Sequence, residues 1–353
     1  MRNVVPAPTG NTPVDPTAAR PRPSAARRTA GPLSGIALLL VVVACSVALG
    51  SKTLTPAQTW HALVHDTGPA RTLVWEVRIP RTLVGLAVGA ALGAAGALIQ
   101  ALTRNPLADP GILGVSTGAS FAVTLSITFT GATGLSSYLW FAFLGAAVVT
   151  AMVYLLGATG RAGANPARLL LVGVALTAVL TGIQTGITLL NPRALDGMRA
   201  WAAGSLAGVG TTEVARVAPF LLFALVIALR VAGPLNMLAM GEDLSRALGT
   251  HIALVRVSSV IAITLLAGGA TALVGPIALL GLMVPHICRR LVGADQRRLL
   301  PGCLLAGPIL LLGADVLARL VVWPGELPVG VVMAFLGSPM LIALSRARRM
   351  GVS

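Results

Sequence analysis

The sequence predicts an all-α polytopic membrane protein of about ten transmembrane helices, on three observations. Hydrophobic residues make up 56% of the chain and charged ones 10%, with a mean hydropathy of +0.87. Apolar runs recur at the length, about 20 residues, that a helix needs to cross a bilayer's hydrocarbon core. Within those runs polar residues do not alternate with apolar ones: IALLLVVVA (36–44) and LLFALVIAL (221–229) are continuous. Backbone groups in lipid must bond within their own segment, leaving helices or a closed barrel. A barrel would show alternating segments of roughly ten residues. The helices remain.

Taken in order, residues 1–32 are rich in Pro, Ala, Thr and Arg with little apolar bulk, and are expected to form a disordered tail. The run from Leu33 to Leu49 is too long for a cleaved signal core and reads as the first span, 33–50. The others are 81–102, 112–130, 137–158, 168–190, 212–230, 253–274, 277–293, 300–322 and 328–345, so that 33–346 forms the membrane domain and 347–353 a short tail. The second span carries Gly89, Gly93 and Gly96 on one face, where small residues let membrane helices approach closely. It ends at RNPLADPGILG (104–114), whose Pro106 and Pro110 cannot continue a helix and so set a stiff turn. Connections 51–80 and 191–211 are long, the latter holding Trp201. Segment 234–252, with Glu242 and Asp243, spaces its Met, Leu and Ala as one or two short amphipathic helices, fit to lie on the membrane or to dock a soluble partner.

The formal charge of +15 does not point to nucleic acid, because the basic residues sit in short clusters between spans and report orientation. Alternating the ten spans from an inner N-terminus places Lys52, Arg71, Arg78, Arg81, Arg193, Arg199, Arg216 and Arg319 outside, and the remaining 18 of the 26 inside. That bias predicts both termini in the cytoplasm.

No catalytic set assembles. His286, alone near the inner end of a span, reads as a packing residue. Cys45, Cys288 and Cys303 are odd in number and lack metal-ligand spacing, so no metal is expected. No Walker A motif occurs, so the chain is not expected to hydrolyse ATP or act as an enzyme. Asp315 is the acid lying clearly within an apolar run, with Arg319 one helical turn later. The spacing predicts an intrahelical pair and gives thin support to a proton-coupled secondary transporter, the competing class. Arg78 and Arg81, in RIPR, share a face at the outer start of the second span, and Arg319 approaches the same side. Cations there suit either an acidic partner surface or lipid phosphate and local salt bridges.

Several long stretches in order, RIPRTLVGLAVGAALGAAGALIQALTRNPLADPGILGVSTGA (78–119), PLNMLAMGEDLSRALG (234–249), GPIALLGLMVPHICRRLVGADQRRLLPG (275–302), ADVLARL (314–320) and ELPVGVVMAFLGSPM (326–340), resemble the FecCD-type permeases of ABC importers. These import iron–siderophores, haem and cobalamin. The resemblance implies a type II importer subunit of ten helices in the bacterial cell membrane, paired with a second permease, identical or related. It also implies two cytoplasmic ATPase subunits that hold ATP and magnesium, an external substrate-binding protein, and no cofactor on this chain. It implies ATPase coupling at Glu242, Asp243, Arg246, Leu248 and Gly249, and binding-protein docking at Arg78, Arg81 and Arg319. A cytoplasmic gate follows at Asn105, Pro106, Leu107 and Pro166, and pathway or packing positions at Gly89, Gly93 and Gly96. GANPARLL (163–170) departs from the family at Pro166 and Ala167. A ferric siderophore is the expected cargo, with cobalamin or haem as alternatives.

Overall fold

The computed structural model describes residues 25–50, 52, 54–65, 68–132, 134–159 and 166–350, and among them every regular element is helical. Ten helices fall on the ten expected spans: α1 (Ala25–Ala48), α4 (Ile79–Thr103), α5 (Val115–Thr130), α6 (Leu135–Ala158), α7 (Pro166–Leu190), α9 (Thr211–Ala239), α11 (Ile252–Val274), α12 (Leu280–Val292), α13 (Gln296–Val321) and α14 (Val329–Met350). Six of them, α4, α6, α7, α9, α11 and α13, are long and apolar enough to cross a membrane unaided. The apolar parts of α1, α5 and α14 are shorter.

The connections carry structure of their own. The outer segment 51–80 folds as α2 (Pro56–Val64), α3 (Pro69–Thr72) and a π-turn, Leu73–Arg78, that runs into α4. Segment 191–211 holds α8 (Pro192–Ala202), capped by the Asn191 side chain accepting from the Ala194 N–H. Segment 234–252 is shorter than expected, because α9 runs through Pro234 to Ala239; what remains holds α10 (Glu242–Ala247).

Three further boundaries differ from expectation. α1 starts at Ala25, inside the expected tail, since AARRTA consists mostly of good helix formers; residues 1–24 lie outside the described part. α14 continues through SRARRM to Met350, so most of the expected C-terminal tail is helical; residues 351–353 lie outside the described part. The eighth span begins at Leu280 because Gly275 (φ 77°) ends α11, Pro276 follows, and Leu279 is left-handed at φ 66°. The extended stretch between them is tolerated because it is buried in protein. Ser205 donates its N–H to the Val274 carbonyl, and Gly330 donates to the Gly204 carbonyl.

α4 is the hub. A Cβ at Gly89 would lie 2.6 Å from Pro308, at Gly93 2.7 Å from the Cys303 carbonyl oxygen, and at Gly96 on top of the Gly281 carbonyl. The three glycines therefore bring the backbones of α12 and α13 against α4 and form a packed seam. At the other extreme stands α7, with 6% of its most apolar stretch buried against 78% for the run containing α4. Its Gly182 and Gly186 face open space.

Candidate functional sites at the two faces

On the side assigned as external, five charged side chains and the end of α1 form one cluster. Asp315, fully buried on α13, accepts from Arg81 Nε (3.0 and 3.2 Å) and Nη2 (2.8 Å), and from Arg319 Nε (2.9 Å) and Nη2. Arg81 Nη1 also donates to Glu326, at 2.6 Å. Arg319 Nη1 donates to the carbonyls of Ser46 (2.8 Å) and Leu49 (3.1 Å), and Nη2 to the Ser46 hydroxyl (3.3 Å). Arg78 Nη1 donates to the carbonyls of Val47 (2.8 Å) and Ala48 (2.6 Å), and Nη2 to that of Lys52 (2.6 Å). A helix end leaves its last carbonyls without partners and carries partial negative charge, so two guanidiniums there satisfy both needs.

The i, i+4 pair expected at Asp315–Arg319 is present. The three arginines, expected as outward cations, are instead 3% (Arg78), 5% (Arg81) and 2% (Arg319) exposed, and their donors are engaged within the chain. Their forks bond carbonyls and carboxylates that single-sequence reading does not connect, Ser46 and Glu326 among them. Glu326 is the most accessible member, its side chain 32% exposed.

At the opposite face the polar turn after α4 is stapled in place. Arg104 caps α4 in the left-handed region (φ 51°) and donates to the Leu238 carbonyl at the end of α9, at 2.6 Å. Asn105 Oδ1 accepts the Leu107 N–H at 3.0 Å, satisfying a backbone donor freed by the turn. Pro106 and Leu107 are half-buried. Asp109 accepts the Gly111 N–H at 2.9 Å and caps a 3-10 turn over Pro110–Leu113. Burial pushes the Asp109 carboxyl above its ordinary range, and the Gly111 N–H offsets this in part. Beneath the turn lies buried Gln100, donating to the carbonyls of Ala108 (3.4 Å) and Leu282 (3.3 Å) and accepting from Arg289 Nη2 (3.1 Å). Neither Gln100 nor Arg289 was singled out in the sequence; a Gln inside so apolar a span was the available signal. Pro166 is the first residue of α7, and the rest of its expected gate turn, 163–165, lies outside the described residues.

The connection after α9 presents a second surface at the same face. Ser245, buried, donates its hydroxyl to the carbonyls of Met237 (2.7 Å) and Gly241 (2.6 Å), fixing α10 to the end of α9. Glu242 pairs with Arg256 on α11 at 2.5 Å and, more loosely, with Arg246. Asp243 is fully exposed. Gly249 is left-handed at φ 81°, a turn a side chain would strain. Met240 (65% exposed), Leu244 (45%) and Leu248 (56%) recur every four residues along this pinned unit. Gly241 (φ 119°) breaks the helix between Met240 and α10, so the three side chains are exposed apolar groups of one short segment and not one helical face. Among the described residues no group of three or more His, Cys, Asp or Glu gathers, and His286 Nε2 is buried without a partner.

The FecCD transport family matches residues 38–347. The ferric enterobactin transport system permease protein FepD of Escherichia coli is 47% identical over 317 residues, covering 89% of this chain and 94% of its own. The vitamin B12 import system permease protein BtuC of Yersinia enterocolitica is 40% identical, covering 88% and 90%. A solved structure described as a metal-chelate type ABC transporter in an inward-facing conformation superposes with a TM-score of 0.78 at 27% identity, covering 89% of this chain and 97% of that one. On the match over most of its length and the likeness in fold, this chain belongs to the FecCD transport family: it is a multi-pass permease subunit of an ABC transporter, a transport component and not an enzyme.

Proposed function

We propose that the chain imports a ferric siderophore, handed over by an external binding protein and driven by two cytoplasmic ATPase subunits acting on a pair of permeases. The cargo class rests on the similarity to the enterobactin permease, with cobalamin as the alternative that the B12 permease similarity keeps open. The observation that carries the drive mechanism is the pinned α10 unit, whose exposed Leu244 and Leu248, with Met240 beside it, offer apolar groups to a partner's cleft while Ser245 and Glu242 hold it to α9 and α11. Movement of the ATPases is thereby passed to two helices at once. The second permease takes the bare faces of α7 and α14, where Phe335 is 77% exposed. Asn105, Pro106, Leu107 and Pro166 form the inner gate, and both termini lie in the cytoplasm.

At the outer face a binding protein's acids reach the arginine cluster through Glu326, by competing with it for Arg81. The test is uptake into vesicles carrying the assembled complex. Ferric siderophore accumulation is expected to require internal ATP and added binding protein, and Leu248→Glu is expected to abolish it while leaving the protein in the membrane. Accumulation driven by a proton gradient alone, or normal cargo-stimulated ATPase activity in Leu248→Glu, would overturn the reading. In the same vesicles Glu326→Gln, which frees one branch of Arg81, is expected to tighten binding-protein affinity at low salt. Unchanged affinity at every salt concentration counts against docking at this cluster.

A further inference from the structure

We propose that His61, in the last turn of the outer helix α2, and His65, its C-cap, form a two-imidazole chelate site for a borderline divalent transition ion of the Zn2+, Ni2+ or Cu2+ class. Neither residue takes part in the ion cluster, the seam or the inner turn. The two rings stack with centroids 4.1 Å apart and planes 8° from parallel, and both residues are exposed.

The helix that presents them is fixed. Thr55 and Gln58 close a reciprocal capping box at its start, with bonds of 2.9 and 3.2 Å. Thr59 and Ala62 are buried against the chain, and Trp75 Nε1 donates to the Ala62 carbonyl at 3.1 Å. The last turn is closed by the His65 N–H on the His61 carbonyl at 2.8 Å. His65 is the C-cap, with its own backbone extended (φ −108°); that bond keeps it one turn beyond His61, and the stacking leaves both imidazoles on one solvent-facing side, at the i, i+4 interval by which two histidines hold zinc in metalloproteases.

The chemistry selects the ion. Imidazole suits zinc, nickel and copper, whereas carboxylate and carbonyl oxygens suit the harder ions. Metal–nitrogen bonds of about 2.0–2.1 Å bring two ligand nitrogens to about 3 Å from each other. The stacked rings reach this by turning about χ2, a broad torsion in histidine. Water completes the coordination, because no third protein ligand gathers among the described residues. The site is therefore open and weaker than a closed structural one. An oxygen-bound ferric chelate is not its ligand, so the site is separate from the proposed cargo.

The test uses the full chain in detergent with no polyhistidine tag, titrated with Cu2+ and followed by equilibrium dialysis and electron paramagnetic resonance. The wild type is expected to bind one Cu2+ with a nitrogen-split spectrum that excess Zn2+ abolishes. His61→Ala and His65→Ala are each expected to weaken binding by about tenfold or more; His251→Ala and His286→Ala are expected to leave it unchanged. Both α2 substitutions sit on an exposed face, and His61→Gln keeps the side-chain bulk and is expected to lose the same affinity. Equal binding in the wild type and both α2 variants would overturn the proposal. So would loss in only one of them, or loss in His251→Ala or His286→Ala. The readout is binding alone, so it stands apart from any result on transport.

Discussion

Replacing Asp315 by Asn would leave the guanidiniums of Arg81 and Arg319 close together inside the protein, with Glu326 the one remaining carboxylate of the cluster. Removing one member of a buried ionic network costs about 3–5 kcal/mol, because the charges left behind stay desolvated. The midpoint of thermal unfolding in detergent is expected to fall accordingly, and an unchanged midpoint would mean that the cluster does not hold α1 to α4 and α13. Asp109 gives a prediction of the opposite kind. Its folded-state carboxyl sits above the ordinary range, so the folded chain holds the proton more tightly than the unfolded one. Its contribution is then present below the ordinary carboxylate pKa and is lost as pH rises through the raised value. Asp109→Asn keeps an acceptor for the Gly111 N–H and is expected to flatten the fall of stability across that window, measured as unfolding midpoint against pH. At this scale the sequence revealed local pairs only. Asp315 and Arg319 are four apart and were legible; Arg81 and Asp315 are 234 residues apart, and nothing in one chain's spacing joins them.

Helices were the most legible elements, because lipid forbids other spanning structure and the apolar runs have the required length. Their ends were less so. α9 was expected to stop near Arg230, where charge interrupts the apolar run, yet Val231, Ala232, Leu235 and Leu238 are buried and carry the helix on past Pro234. α8 and α2 were hidden because their cores are short and partly polar, and their caps, Asn191 and Thr55, become informative only beside a known helix. The glycine face of α4 was readable as a packing surface; what it packs against was not. A test follows from the Gly281 carbonyl lying where a Gly96 side chain would go. Gly96→Leu is expected to force α4 and α12 apart and destabilise the fold by about 1–3 kcal/mol or more. Leu83→Ala, on an exposed part of the same helix, is expected to change little. Equal effects of the two on the detergent unfolding midpoint would refute the seam.

Across the whole molecule, the family resemblance foreseen from RNPLADP and its companion stretches holds over 38–347, and with it the transport role. The unforeseen part is how unevenly the helices are tied together. α4, α12 and α13 are locked by close backbone approaches and α11 is largely buried, whereas little of α7 is buried. What ties it to the chain gathers near Gly173, where an added Cβ would sit 2.0 Å from the Ile112 carbonyl oxygen, while Val179, Ile183, Leu189 and Leu190 stay bare. That bare surface has to be covered from beyond this polypeptide, so the setting of this helix depends on what lies against it as well as on its own chain.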